Sequence, residues 1–154
     1  MGVAFKVVRS SDVPWSDAID RGPFQGRRKA LGGERLTAGL WELPQGKRSF
    51  PLHMHHVTEE AMWVVSGTCH VRTPNGETQL HAGDYVSFPA GGPAHQLVNH
   101  SDAPCIYVGL SATQGPDIVE YPDSGKVAAS VGVAGGGRKR WIFRDQVDYF
   151  DGEG

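Results

Sequence analysis

Three features of the 154-residue chain predict an all-β fold. Gly (21) and Pro (10) make up a fifth of it, which suits many short strands joined by turns better than long helices. Between Glu34 and Leu110, short apolar-rich runs alternate with turn signals at fairly even intervals: Pro44-Gln45-Gly46, Pro74-Asn75-Gly76, Ala82-Gly83-Asp84, Gly91-Gly92-Pro93 and Ser101-Asp102-Ala103-Pro104. That texture belongs to a sandwich or barrel. Asn75-Gly76 is the strongest local signal, because a type I′ turn needs positive φ at both central residues; it predicts a hairpin between Thr68–Thr73 and Thr78–Leu80.

The elements follow in order. Residues 1–33 read as an N-terminal arm that packs on the barrel, with one strand over Ala4–Arg9 and one helical turn within Asp12–Ile19, capped by Ser16 or Asp17. Val3, Phe5 and Val7 give that strand an apolar face that seeks a sheet, in this molecule or in a partner's. Residues 34–112 hold the barrel core. Residues 113–154 extend the same domain through a Gly- and Ala-rich loop over Val127–Gly137 and a late strand within Trp141–Phe150.

Composition excludes several classes. Fifteen Lys and Arg against 17 Asp and Glu are interspersed and leave a formal charge of −2, so no nucleic-acid-binding polyelectrolyte is indicated. A 39% hydrophobic fraction is too high for a disordered chain, and the longest apolar runs fall far short of the ~18–20 residues of a membrane span. Cys69 and Cys105 lie in apolar contexts without metal or redox spacing and read as reduced core residues. Met1–Lys6 lacks a signal-peptide h-region, so the expected location is the cytoplasm.

The chemistry concentrates in Pro51-Leu52-His53-Met54-His55-His56, followed by Glu59 and Glu60. On a strand the imidazoles of His53 and His55 share one face and His56 takes the other. His95 lies at the end of a Pro- and Gly-rich turn that can aim it back at the sheet. Three neutral imidazoles and a carboxylate suit a borderline divalent ion, Fe, Mn, Ni, Co or Zn, and leave two positions of a six-coordinate ion open. The remaining histidines, His56, His70, His81 and His100, read as surface or hydrogen-bonded groups.

These residues closely resemble the two motifs of the cupin superfamily. In the first, Gly46 leads to His53-Met54-His55, four residues precede Glu60, and six more reach Gly67. In the second, Gly83 is followed by Pro89-Ala90-Gly91, His95 and Asn99. The chain departs from the pattern by one extra residue between Gly46 and His53 and one between Gly91 and His95, both in turns. Strand alternation from His53 alone would select Glu59; the spacing to Gly67 selects Glu60. The resemblance implies a jelly-roll β-barrel with His53, His55, Glu60 and His95 as metal ligands near one mouth. The stretch Val119–Lys126 and the tail Asp148–Glu153 are also similar to bacterial stand-alone cupins labelled sugar-phosphate isomerases.

The resulting expectation is a metal-dependent enzyme that acts on a small polar metabolite by Lewis-acid chemistry of the sugar or sugar-phosphate isomerase type. Two alternatives stand beside it: a non-heme Fe(II) dioxygenase, and a non-catalytic module that binds a small molecule. Glu59, Tyr85 and His70 are candidate catalytic bases. Met62, which shares the face of Glu60, and Arg72, able to grip phosphate or carboxylate, are candidate substrate contacts. Arg138-Lys139-Arg140 is expected to be a solvated run, with closure over an anionic substrate as its alternative. The likeness to stand-alone cupins and the apolar arm both predict a homodimer, and neither nucleic acid nor membrane is expected as a partner.

Overall fold

The computed structural model of the chain describes residues 5–112, 115–132, 137–145 and 147–152. Its strands, in chain order, are β1 (Ser16–Arg21), β2 (Phe24–Gly32), β3 (Leu36–Leu43), β4 (Met54–His55), β5 (Glu59–Ser66), β6 (Thr68–Thr73), β7 (Gly76–His81), β8 (Tyr85–Phe88), β9 (Gln96–Val98), β10 (Cys105–Ala112), β11 (Asp117–Tyr121), β12 (Lys126–Gly132) and β13 (Arg138–Phe143). Apart from a 3-10 turn over Ser10–Asp12, there is no helix among the described residues. No helix is long and apolar enough to cross a membrane.

One layer is a six-stranded antiparallel sheet in the order β1-β2-β3-β10-β5-β8. The opposing layer combines β7-β6-β9 with β13-β12-β11-β4. An isolated antiparallel bridge between His53 and His95 links the two parts. The core lies between the layers: Leu43, Met62, Val64, Phe88, Cys105 and Tyr107 come from the six-stranded sheet, and Cys69, Val71, Leu80 and Leu97 from β6, β7 and β9. The architecture is all-β and of the jelly-roll type. Cys69 and Cys105 are buried and free, as the sequence suggested.

Strand alternation determines which side chains reach that core. On β5, Met62 and Val64 are buried while Trp63 and Val65 are 50% and 44% exposed on the outer face. Gly67 turns β5 into β6 at φ +77°, and a Cβ there would sit 2.5 Å from the Pro104 carbonyl oxygen, so only glycine fits. Asn99, fully buried, donates to the carbonyls of Leu43 and Ala103 and accepts from the Ser101 amide. It satisfies backbone groups that the turn after β9 would otherwise leave unpaired.

Several expected elements differ. Residues 5–9 form no strand, and Phe5 is 91% exposed; Ala4 and Val3 lie outside the described residues. The helical turn expected within Asp12–Ile19 is instead the start of β1, which pairs with β2 across a two-residue Gly22-Pro23 turn. The cross-strand ladder satisfies more backbone groups than an isolated turn of helix would. The β6–β7 hairpin forms, but Thr73 pairs with Gly76, so Pro74-Asn75 are the central residues. Proline fixes φ near −65° and no non-glycine residue has positive φ, so the turn is not type I′.

The expected loop at Val127–Gly137 is a strand as far as Gly132. Its small side chains let β12 pack closely between β11 and β13, leaving Ala128 and Ser130 buried. Residues 133–136 lie outside the described residues. The late strand starts at Arg138 and ends at Phe143, earlier than expected on both counts. Ser16–Gly32 thus extend the large sheet and Asp117–Phe143 extend the opposing one.

Candidate metal centre

Backbone pairing places the first two donors. His53 and His95 exchange both backbone hydrogen bonds, N to O at 3.2 and 2.8 Å, which holds their imidazoles side by side with ring centroids 4.7 Å apart. His55 follows two residues on, at the end of β4, where pairing with Val119 of β11 orients it. Glu60 sits across the barrel on β5, paired with Ser111 and Phe88.

The four side chains converge on one point. Nε2 of His53, His55 and His95 lies 3.5, 3.5 and 3.3 Å from the same Glu60 Oε2. Donor atoms of His53, Glu60 and His95 all lie within 4.8 Å of one another. His53 donates from Nδ1 to the Pro51 carbonyl at 2.8 Å, and His55 donates from Nδ1 to Asp117 Oδ2 at 2.6 Å. Both acceptors oblige the hydrogen to sit on Nδ1, which leaves the Nε2 lone pairs free toward Glu60, the arrangement that metal-ligating histidines adopt. Phe88 stacks on the His95 ring at 3.7 Å and fixes its plane.

The electrostatics favour an ionised carboxylate beside the imidazoles. Burial pushes the Glu60 carboxyl up, but its interactions with the neighbouring His53, His95 and His55 imidazoles outweigh it and hold the group well below the usual carboxylate range. Burial, with His53 adding to it, pushes the His95 imidazole below its ordinary value against the opposing pull of Glu60. Asp117, its carboxyl 1% exposed, is raised by burial but lowered further by hydrogen bonds with Thr58, His55 and the Val57 amide. An anionic oxygen and three bare imidazole nitrogens around one point are the donor chemistry of a borderline divalent cation.

Two cavities meet at this cluster. The inner one, about 160 Å³, penetrates the barrel between Trp41, Met62, Phe88, Leu97 and Tyr107. The outer one, about 600 Å³, opens toward the β11–β13 sheet and is lined by His55, Asp117, Tyr121, Lys126, Arg138 and Arg140. His53, Glu60, Arg28, Thr37, Phe50 and Ser111 border both.

Of the other sequence candidates, Met62 lines the inner cavity. The rest are elsewhere. Glu59 points to the opposite face of β5 and is exposed. Tyr85 pairs with Trp63 on the outer surface and is 62% exposed. His70 packs edge-on against His100, ring centroids 4.9 Å apart, on the β6 side, and its buried Nδ1 has no partner among the described residues. Arg72 gives its donors to Asp123 at 2.7 and 3.0 Å and to Gln96 at 3.1 Å, and borders neither cavity. In each case alternation or a nearer partner carries the group away from Glu60. His56 and His100 are hydrogen-bonded to Glu120 and Glu77. The Arg138–Arg140 run is exposed, as a solvated run would be, and opens β13, with Arg138 and Arg140 at the outer cavity and Lys139 laid over Trp141.

Sequence reasoning missed Asp117, Tyr121, Lys126 and Arg28. Asp117 carried no motif; its one signal was a charged residue at the head of an apolar alternation. Arg28 is the least expected. Its guanidinium lies over the Trp41 ring at 5.4 Å, and its buried Nε has no hydrogen-bond partner. A buried donor left unpaired costs about 1–3 kcal/mol.

Residues 39–111 match the family model described as Cupin domain. Among solved structures, a proposed sugar phosphate isomerase of Acidithiobacillus ferrooxidans is 26% identical, with a TM-score of 0.67 over 76% of each chain. A sugar phosphate isomerase from a cupin superfamily of Silicibacter pomeroyi is 22% identical, with a TM-score of 0.77 over 90% of this chain and 92% of that one. The polyketide cyclase RemF of Streptomyces resistomycificus is 19% identical, with a TM-score of 0.63 over 72% and 81%. No curated protein sequence matches the chain.

Proposed function

We propose, from the premise that residues 39–111 of this chain are a cupin domain, that it is a divalent-metal-dependent enzyme acting on a small polar metabolite, in the manner of a sugar or sugar-phosphate isomerase. The observation that carries this reading is the convergence of three imidazole Nε2 atoms on one oxygen of Glu60. His53, His55, Glu60 and His95 would hold the ion, and Asp117 would orient His55 through its 2.6 Å hydrogen bond. A bound ion would supply Lewis acidity, polarising a carbonyl or hydroxyl oxygen. The likeness to the Acidithiobacillus protein supports the isomerase direction.

The protein's own groups supply the rest. The inner cavity, walled by Trp41, Phe88 and Tyr107, excludes water from one side of the ligand. Isomerisation moves a proton between adjacent carbons, and we assign that task to Tyr121 or Lys126, titratable groups of the outer cavity that lie beside the cluster. Tyr121 stacks against His53 at 6.3 Å, and Lys126 Nζ sits 5.3 Å from the Tyr121 ring centroid. Either is within a side chain's reach of a substrate at the mouth.

The test is a reaction of the metal-reconstituted protein with aldose and ketose phosphates in D₂O, followed by NMR. Deuterium at the carbon that receives the transferred proton, with no O₂ consumed, is the expected result. Consumption of O₂ with substrate would replace this reading with dioxygenase chemistry. Ligand-induced stabilisation without any product would leave a binding module.

A further inference from the structure

We propose that Arg28 is the anchor for an anionic group, carboxylate or phosphate, of the ligand that occupies the barrel mouth. The inference deepens the reading of the mouth as the substrate site and rests on it for the ligand's presence. Three observations carry it.

First, the fold makes a dedicated place for this side chain. Arg28 pairs with Trp41 across β2 and β3, and Gly39 and Gly109 pair across β3 and β10 directly beside them. A Cβ at Gly39 would lie 2.7 Å from Arg28 Nε and 3.1 Å from Trp41 Nε1, and one at Gly109 would lie 3.1 Å from Trp41 Cδ1. Two adjacent glycines therefore clear the groove through which the indole and the guanidinium enter. An arginine meant only for the surface needs no such groove.

Second, the charge has no partner. No ion pair or hydrogen bond to the Arg28 side chain exists among the described residues, and its Nε is buried. Its neighbour Arg27, on the opposite face, is by contrast bonded to Glu42 at 2.6 and 2.9 Å. An arginine fork presents parallel N–H donors that match a carboxylate or phosphate edge, and the stacked indole holds that fork in one plane.

Third, the position is right. Arg28 borders both cavities, as do His53 and Glu60, so a ligand that reaches the metal cluster passes it. Arg138, Arg140 and Lys126 line the outer cavity and add positive charge on the far wall. Against an acidic chain overall, this local excess of cations selects anions.

The test titrates inorganic phosphate and malonate separately into metal-free and zinc-loaded protein at fixed ionic strength, by calorimetry, for wild type, Arg28→Gln, Arg28→Lys and Lys139→Gln. One anion is expected to bind the wild type in both metal states, and which one binds identifies the class. Arg28→Gln should weaken it at least tenfold, Arg28→Lys several-fold because a point charge replaces the fork, and Lys139→Gln not at all. If Arg28→Gln does not fold, the several-fold loss in Arg28→Lys decides. Failure of both anions to bind the wild type, or equal binding by the Arg28 variants, overturns the proposal. Anion binding that depends on Arg28 in a protein that takes up no zinc would retain the anchor while removing the metal reading.

Discussion

The two cavities at the barrel mouth share His53 and Glu60 but are completed by different stretches of the chain and differ accordingly. The inner one is mostly apolar and walled largely by strands of the stretch that matches the Cupin domain model, with Trp41, Met62, Phe88 and Tyr107 close around it. The outer one is more polar, several times larger, and edged by Asp117, Tyr121, Lys126, Arg138 and Arg140, all C-terminal to that stretch. The metal cluster lies at the boundary. This division teaches that the barrel supplies the His and Glu cluster and an apolar wall, while the flanking strands supply most of the cationic lining, which is where selectivity for a ligand would be set.

The comparison can be broken most forcefully at the boundary. Replacing His53 and His95 together with Ala should abolish stoichiometric metal binding, read by elemental analysis. In the inner wall, Leu97→Ala or Met62→Ala should cost about 2–5 kcal/mol in chemical denaturation, because both side chains line that cavity and are buried in the core. Neither should alter which anion binds. At the outer wall, Asp117→Asn removes the ionised acceptor of His55 Nδ1, and metal affinity should fall about 10–100-fold by competition with a chelating dye, with the cation binding sites otherwise intact.

Acid should act through the same boundary. The His95 imidazole is held below its ordinary value of 6.5, so the unfolded chain takes up that proton first, and stability of the metal-free protein falls as pH drops through that region. Glu60 adds to this lower down: its depressed carboxyl stabilises the fold above its ordinary 4.5, and that contribution is lost as pH falls further. Thermal melts of metal-free protein from pH 8 to pH 4 should show a progressive fall starting near pH 6.5; a flat profile would contradict the electrostatic account. The smallest effect belongs to Lys139→Gln, on the outer face of β13, expected within about 0.5 kcal/mol of wild type.

What was legible in the sequence follows the same line. His53, His55, Glu60, His95 and Asn99 are set by short-range spacing within turns and adjacent strands, so motif reading finds them, and alternation places Met62 and Val64 inside with Trp63 outside. Asp117 and Arg28 reach the mouth only through pairing between segments far apart in sequence, β11 with β4 and β2 with β3. No local pattern reports such pairing. Gly22-Pro23 reads as a loop in isolation and becomes a hairpin turn only because β3 offers an edge for β2. Val127–Gly132 has the composition of a loop and is a strand because β11 and β13 cover both of its edges. Arg72 shows the converse: strand alternation allowed it the cavity, and Asp123 from a distant turn claimed its guanidinium.

The homodimer expected from the chain remains a proposal, and the outer face with Trp63, Val65 and Tyr85 exposed gives sedimentation a surface to test. The metal is the more central claim. Its most direct test is elemental analysis of protein purified anaerobically without a metal-affinity tag, beside the His53→Ala, His95→Ala double variant. About one transition-metal ion per chain in the wild type, absent from the variant, is the predicted result. A wild type that holds no metal even after reconstitution, or a variant that holds as much, would contradict it.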